Sequence, residues 1–235
     1  MKYSLNLNSF IENTFILTVF VLFSIESIAQ EGLNAYDANG KRHGSWKGYY
    51  DNDSGSLKYE GTFEHGKETG LFKFYQPKQK NPVATRFFRP GSDTVEVKYL
   101  AQNGKTISEG KMMDRQRVGE WIYYHNNSDR IMMTEHYEND SLHGPKVTYF
   151  DNGNIAEKAN YTHGKLQGEK IIYSEKGVVL EHLQYVNGEL HGPARFYNGK
   201  GELLTEGNYK KDRHHGIWKY YENGKLKEEK DFSGH

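Results

Sequence analysis

Large apolar side chains recur along this sequence at a fixed distance from turn-type residues. Seven of them each follow a glycine or an aspartate by eight positions: Phe63, Met112, Tyr137, Tyr161, Tyr185, Tyr209 and Phe232. The first six are followed, seven positions later, by Gly70, Gly119, Gly144, Gly168, Gly192 and Gly216. The last four of these glycines are 24 residues apart. Self-similarity at such a period is typical of stacked supersecondary units, so the sequence predicts a repeat protein.

Each repeat has the pattern of a β-hairpin. The aromatic run 217–221 precedes Asn223-Gly224, a turn signal, and a second run then leads to Phe232. Asn-Gly between two such runs favours a two-residue turn, because that turn needs positive φ angles. The second run alternates with a period of two, as in 155–161, which indicates a strand. We therefore predict an all-β fold, an elongated single-layer antiparallel meander of about eight repeated β-hairpins over residues 43–235.

One repeat is irregular, over about residues 77–104. Gly70 and Gly119 are 49 residues apart, which leaves room for one degenerate hairpin. In that hairpin Phe88 takes the aromatic place, and Val95 replaces the glycine seven positions later. Three of the five prolines lie here, namely Pro77, Pro82 and Pro90. Proline within a sheet belongs at edges and bulges, so we expect the sheet to bend at this repeat.

The repeated residues resemble MORN repeats, specifically the bacterial variant of that family. The shared pattern is Gly-x-Trp-x-x-Tyr-Tyr followed by Asn-Gly-Lys-Leu, most complete in 216–221 and 223–226. It recurs in 70–75, 119–124 and 192–197, with departures at the Trp place in Lys146, Lys170 and Ala194. The resemblance covers roughly residues 40–232. It implies an antiparallel meander that serves as an interaction or membrane-apposition module without catalytic residues, and some bacterial members are described as antitoxins.

The amino terminus has the features of an export signal. Lys2 precedes the nine-residue apolar run 15–23, and Ser27-Ile28-Ala29 places small residues where signal peptidase cleaves. The run is short for a membrane span, which needs about 20 residues. We predict a signal peptide at 1–29, a lead-in or cap at 30–42 and export to the periplasm or cell surface. An uncleaved anchor is the alternative.

Composition limits the classes of partner. The 235 residues have a formal net charge of zero, no cysteine, 35% hydrophobic and 14% aromatic residues. Nucleic acids and anionic membranes both attract basic surfaces, so no nucleic-acid partner is predicted. Membrane association is possible in principle, but the charge does not indicate it. The oligomeric state is open.

Two series of repeated residues are candidates for metal binding or catalysis. Histidine precedes glycine six times, at His43, His65, His143, His163, His191 and His215. Equivalent positions on adjacent hairpins would lie about 10 Å apart, too far to share one metal ion, so no metal site is predicted. A row of glutamates, one per repeat, shifts by one position along the chain and is expected to pair with cross-strand Lys or Tyr. We therefore expect no cofactor, no catalytic residue and no enzymatic activity.

Aromatic and basic residues are the candidates for partner binding. The irregular repeat concentrates Arg86, Phe87, Phe88 and Arg89, and the Trp places of regular repeats hold Trp121 and Trp218. Both residue types are enriched where partners bind tightly. The leading hypothesis is a non-enzymatic exported scaffold that binds a protein or envelope partner. The alternatives are a lipid- or envelope-associated structural protein, indicated by an exposed apolar patch, and a toxin-neutralising protein.

Overall fold

The computed structural model describes residues 32–51 and 55–234, which belong to one compact unit. The first nine strands are β1 (Ala35–Tyr36), β2 (Arg42–Tyr49), β3 (Leu57–Glu64), β4 (Lys67–Phe74), β5 (Ala84–Phe88), β6 (Val95–Leu100), β7 (Thr106–Met113), β8 (Gln116–Tyr124) and β9 (Ile131–Glu138). The others are β10 (Ser141–Tyr149), β11 (Ile155–Thr162), β12 (Lys165–Tyr173), β13 (Val179–Val186), β14 (Glu189–Leu190), β15 (Gly192–Tyr197), β16 (Leu203–Lys210), β17 (Arg213–Glu222) and β18 (Lys225–Asp231).

Strands that follow one another in the chain pair antiparallel, except that β14 and β15 are consecutive segments of one strand and both pair with β13. The result is one open meander of 18 strands with β1 and β18 at its edges. It comprises eight hairpins, which begin at β2, β4, β6, β8, β10, β12, β15 and β17. The all-β hairpin meander predicted from the sequence is thereby confirmed. The described part of the chain contains no helix that could cross a membrane.

Two kinds of turn alternate along the meander. The turns between hairpins have two residues with positive φ, for example His163 at 49° and Gly164 at 78°. Most turns at the hairpin tips are longer. The backbone N–H of Phe150 donates to the carbonyl of Asn154 over 2.8 Å, and only Gly153 of the three residues between them has positive φ. The two-residue turn that Asn-Gly predicts therefore occurs at the last hairpin tip, Asn223-Gly224, where both residues have positive φ. At Asn152-Gly153 the tip is a three-residue loop, in which Asn152 belongs to a type I turn and Gly153 completes the loop.

The glycines that begin each repeat lie within strands rather than in turns. Gly168 and Gly192 have φ angles of 83° and 105°, and the pairing register shifts beside several glycines of this series. At Gly192 an added Cβ would lie 3.3 Å from Cγ of Gln184. These positions are β-bulges, which need a residue that accepts positive φ.

One face of the sheet, here called the aromatic face, carries Trp46, Phe72, Trp121 and Trp218. Along it, residues 11 apart meet across the boundary between consecutive hairpins, and their sizes are complementary. A Cβ at Gly207 would lie 2.3 Å from the Trp218 ring. The other pairs include Gly61 with Phe72, Gly110 with Trp121, Leu183 with Ala194 and Glu135 with Lys146. At each boundary, therefore, one residue of the pair is large enough to fill the space above the sheet, and it can come from either strand.

The core on the aromatic face forms three hydrophobic clusters rather than one. They centre on Trp46 with Phe72, on Val97 with Trp121, and on Leu183 with Trp218. Charged residues separate the second cluster from the third. This polar interruption consists of two ion pairs, with Nζ–carboxylate distances of 3.3 Å for Lys146–Glu135 and 3.1 Å for Lys170–Glu157.

The two edges of the sheet are protected differently. At the first edge, the segment 32–41 covers β2: Asn34 exchanges hydrogen bonds with Lys47, and the ring of Tyr36 packs edge-on against Trp46 at 5.1 Å. At the other edge, every residue of β18 is exposed, and six of its seven residues, all but Leu226, are charged. Charged side chains on an edge strand oppose pairing with another sheet.

Candidate partner-binding site

The irregular repeat contains β5 and β6 and departs from its neighbours at the loop 89–94, which joins these two strands. Where other repeats use a two-residue turn, β5 and β6 are joined by six residues that include Pro90 and Gly91. This loop and the turn between β3 and β4 enclose a cleft of about 670 Å³. Its lining comprises Lys41, Glu64, His65, Lys67, Glu68, Thr69, Phe88, Arg89, Pro90, Gly91, Ser92, Asp93, Thr94 and Val95.

The side chains around this cleft carry both signs of charge. Three cations, Lys41, Lys67 and Arg89, face three carboxylates from Glu64, Glu68 and Asp93. The Arg89 guanidinium is exposed and lies 2.9 Å from the Glu96 carboxylate. Since exposed ion pairs of this kind contribute little to stability, these groups can exchange their partners at small cost.

One edge of the cleft is held by the first hairpin and its cap. Nδ1–H of His65 donates to the carboxylate of Asp37 over 2.7 Å, and the backbone N–H of Lys41 donates to the same side chain over 2.9 Å. These hydrogen bonds lower the pKa of Asp37 to about 2, because they stabilise the carboxylate. The lining residue His65 is therefore fixed in position.

The four predicted residues of the irregular repeat occupy different environments. Phe87 and Arg89 are exposed on the face opposite the aromatic one, and the guanidinium lies 5.7 Å from the Phe87 ring centre. Phe88 lines the cleft and also packs against the first core cluster, 5.3 Å from Phe72. Arg86 pairs with Phe72 and Val97 on the aromatic face and lies over Phe74 at 5.2 Å. Only Phe88 and Arg89 line the cleft itself.

The two predicted tryptophans are core residues. Trp121 and Trp218 are 2% and 1% exposed, and each indole N–H donates over 3.0 Å to a carbonyl of the preceding strand. Their rings cover glycines in that strand and leave no surface that a partner could contact. The expectation that they bind a partner does not fit their burial, because the repeat uses them to fill the boundary between hairpins.

The glutamate row is divided between the two faces. Glu135 pairs directly with Trp121 and so lies on the aromatic face, whereas Glu60 and Glu206 lie on the opposite face. Tyrosine hydroxyls donate to the latter two over 2.7 and 2.9 Å, from Tyr75 and Tyr221. The bond from Tyr75 is the main cause that lowers the pKa of Glu60. These carboxylates are structural partners, as the shift in their spacing predicts.

One group of side chains has the composition of a metal site. Ligand atoms of Glu138, His143 and His163 all lie within 4.8 Å of one another, the one such group found among residues 32–51 and 55–234. The distance of about 10 Å expected between histidines applies to equivalent positions on adjacent hairpins, and His143 and His163 are not equivalent. His143 precedes a bulge glycine, whereas His163 belongs to a turn between hairpins. The sequence signal for this group is the 20-residue spacing of His143 and His163, which places one in β10 and the other directly after β11, the strand that pairs with β10.

Comparison with known families decides what kind of repeat this is. The model of the MORN repeat variant matches residues 142–163, 190–211 and 215–233. The chain contains MORN repeats. The matched segments are hairpins of the carboxyl-terminal half, and the structure gives the same hairpin pattern to the repeats before them. As a MORN-repeat protein, the chain is a repeat scaffold.

Two solved structures are similar to parts of this MORN-repeat chain. One is the crystal structure of a GtfA/B complex, with 18% identity, a TM-score of 0.29 and coverage of 42% of this chain. The other is the crystal structure of TcdB2-TccC3-Cdc42, with 14% identity, a TM-score of 0.23 and coverage of 82%. The chain spans 20% and 13% of the lengths of those chains. No curated protein sequence matches it.

Proposed function

We propose that this MORN-repeat protein is a non-enzymatic scaffold that binds a protein partner in the cleft beside the irregular repeat. The observation that carries the proposal is the cleft of about 670 Å³ formed where the loop 89–94 interrupts the regular series. A uniform repeat array offers a ligand many equivalent positions. An interruption with its own shape and charge offers a single distinct one.

The composition of the cleft favours a polypeptide over a lipid. Cationic and anionic side chains are equal in number around it, and Phe88 supplies a partly buried aromatic surface. A lipid surface would call for an extended apolar patch or an excess of basic residues. A peptide of mixed charge fits the lining, with a carboxylate of its own replacing Glu96 as the partner of Arg89 and a cation of its own facing Asp93. The pairing of the glutamate row with tyrosine and lysine supports a role without catalysis.

The test compares two matched double variants in a crosslinking pulldown from an envelope fraction. Lys67→Ala with Arg89→Ala removes two cations from the cleft. Arg195→Ala with Lys219→Ala removes two exposed cations from a shallow depression on two adjacent regular hairpins. We expect the first variant to capture the partner at least tenfold less and the second to match the unaltered protein. Equal capture by both variants, with equal melting temperatures, would show that the cleft is not the binding site.

We also propose that the protein is exported. The support is in the sequence, since residues 1–31 lie outside the described part of the chain. The apolar run 15–23 followed by Ser27-Ile28-Ala29 predicts cleavage after Ala29. Amino-terminal mass spectrometry of the native protein should find Gln30, free or cyclised, as the first residue. Recovery of an intact amino terminus from cytoplasmic material alone would contradict export.

A further inference from the structure

Two histidines from different turn positions are brought together between β10 and β12. His143 lies in β10, one residue before the bulge at Gly144, and His163 is the first residue of the two-residue turn after β11. The N–H of Gly164 in that turn donates to the carbonyl of Leu142 over 2.8 Å. This hydrogen bond ties the turn to β10, so the two imidazole rings lie 5.2 Å apart at 66°.

A carboxylate from β9 joins the two histidines. Glu138 ends β9 and pairs with Ser141 at the start of β10, which directs it toward the same turn. Its Oε2 lies 3.3 Å from Nδ1 of His143, and ligand atoms of all three residues lie within 4.8 Å of one another. The group therefore draws on two successive strands, β9 and β10, and on the turn that follows β11.

Among the ligand atoms of this group, Nδ1 of His143 is unusual because it is buried without a hydrogen-bond partner. This atom is inaccessible to solvent and forms no hydrogen bond, although the Glu138 carboxylate is within ion-pair distance. The separation is short enough, but the alignment is not that of a hydrogen bond. Two ligands that hold one tetrahedral zinc ion at 2.0–2.1 Å are about 3.4 Å apart. The 3.3 Å separation thus suits two atoms that face a common cation.

We propose that Glu138, His143 and His163 bind a divalent transition-metal ion of the zinc class. Two imidazoles and one carboxylate form a ligand set that suits zinc rather than magnesium or calcium, which prefer oxygen ligands. Small rotations of the exposed Glu138 and His163 side chains bring their ligand atoms to bonding distance. The ion joins the hairpin that ends at β9 to the hairpin of β10 and β11, and water completes its coordination.

The same chain contains a natural control. His43 and His65 occupy the corresponding positions in the first hairpin, with ring centres 4.7 Å apart. There, however, Nδ1 of His65 is bonded to Asp37 over 2.7 Å, and Nδ1 of His43 accepts the backbone N–H of His65 over 3.3 Å. Both nitrogens are already used by the protein. A histidine pair at these positions is therefore insufficient, and the carboxylate together with the unbonded Nδ1 makes the second pair different.

The experiment is a zinc titration of the untagged chain by calorimetry, supported by the visible spectrum of the cobalt form. The test variant is His163→Asn, because Asn187 occupies the equivalent turn position with φ 53° and the turn is preserved. The control is His65→Asn at the corresponding turn of the first hairpin. We expect one zinc ion per chain, at least tenfold weaker binding in His163→Asn and unchanged binding in His65→Asn.

A second variant distinguishes the metal site from a general effect of histidine. Glu138→Gln should weaken zinc binding and alter the cobalt spectrum while leaving the melting temperature of the metal-free chain unchanged. In the unaltered chain, zinc should raise the melting temperature, and a chelator should reverse the rise. Absence of stoichiometric binding, or binding that persists in both His163→Asn and Glu138→Gln, would overturn the proposal.

Discussion

Replacing Trp218 by alanine should lower the free energy of unfolding by about 4 kcal/mol, since large-to-small changes of a buried aromatic cost this much. The ring is 1% exposed, covers Gly207 and donates its N–H to Asn208. The loss should be partly recovered by a second change, Gly207→Leu. At the preceding hairpin boundary the same two places are held by Leu183 and Ala194, both buried.

The same leucine introduced alone should be harmful. In the presence of Trp218, a Cβ at position 207 would lie 2.3 Å from the ring, so Gly207→Leu by itself should cost about 3 kcal/mol. A double-mutant cycle in urea should therefore give a favourable coupling energy of at least about 2 kcal/mol. Ile217→Ala, at an exposed position beside Trp218, serves as the control and should change stability little. Additive losses would mean that the two sizes are not matched at the boundary.

Replacing Lys146 by methionine should also be costly, by about 3 kcal/mol, because it leaves a buried carboxylate without its cation. Glu135 is 6% exposed, accepts the hydroxyl of Tyr137 and lies 3.3 Å from Nζ of Lys146. Lys170→Met is the matched comparison. Its partner Glu157 has a side chain that is 26% exposed, so water can replace the lost cation and the cost should be smaller.

The polar pair can be replaced as a unit. Glu135→Leu with Lys146→Ala reproduces the combination of Leu183 and Ala194, and removing both charges avoids an unpaired group. We expect the double variant to unfold within about 1 kcal/mol of the unaltered protein, well above Lys146→Met alone. Urea denaturation of the four proteins measures this. If Lys146→Met and Lys170→Met were equally tolerated, burial of the Glu135 carboxylate would not be what makes the pair sensitive.

Much of the fold was accessible from local patterns. The spacing from Gly153 to Tyr161 and on to Gly168 predicts the meander and its eight hairpins, because a one-residue slip would move every side chain to the other face. The tip turn at Asn152-Gly153 was assigned the wrong length. Asn-Gly satisfies both a two-residue turn and the end of a three-residue loop, and the choice depends on how the flanking strands pair.

The site depended on contacts that single positions do not reveal. The sequence predicts that Trp121 and Trp218 are available to a partner, yet each ring is buried against a glycine 11 positions earlier. This pairing is visible only when neighbouring strands are aligned. His143 and His163 escaped notice for a similar reason, since they occupy non-equivalent places in the repeat. Phe88 and Arg89 were found from composition, but the cleft beside them exists because the loop 89–94 leaves the sheet.

The pairs of residues 11 apart also have a consequence for how such an array can grow by gene duplication. Each pair joins the second strand of one hairpin to the first strand of the next, so a copied hairpin meets a new neighbour at its junction. A tandem copy of the 24-residue unit 144–167 would place Lys146 beside Ala159, a combination of residue types that Ala159 already makes with Lys170. A tandem copy of the unit 192–215 would place Ala194 beside Gly207, two small residues with a gap between them. Insertion of whole hairpins is therefore tolerated at the middle of the array and penalised near its carboxyl end.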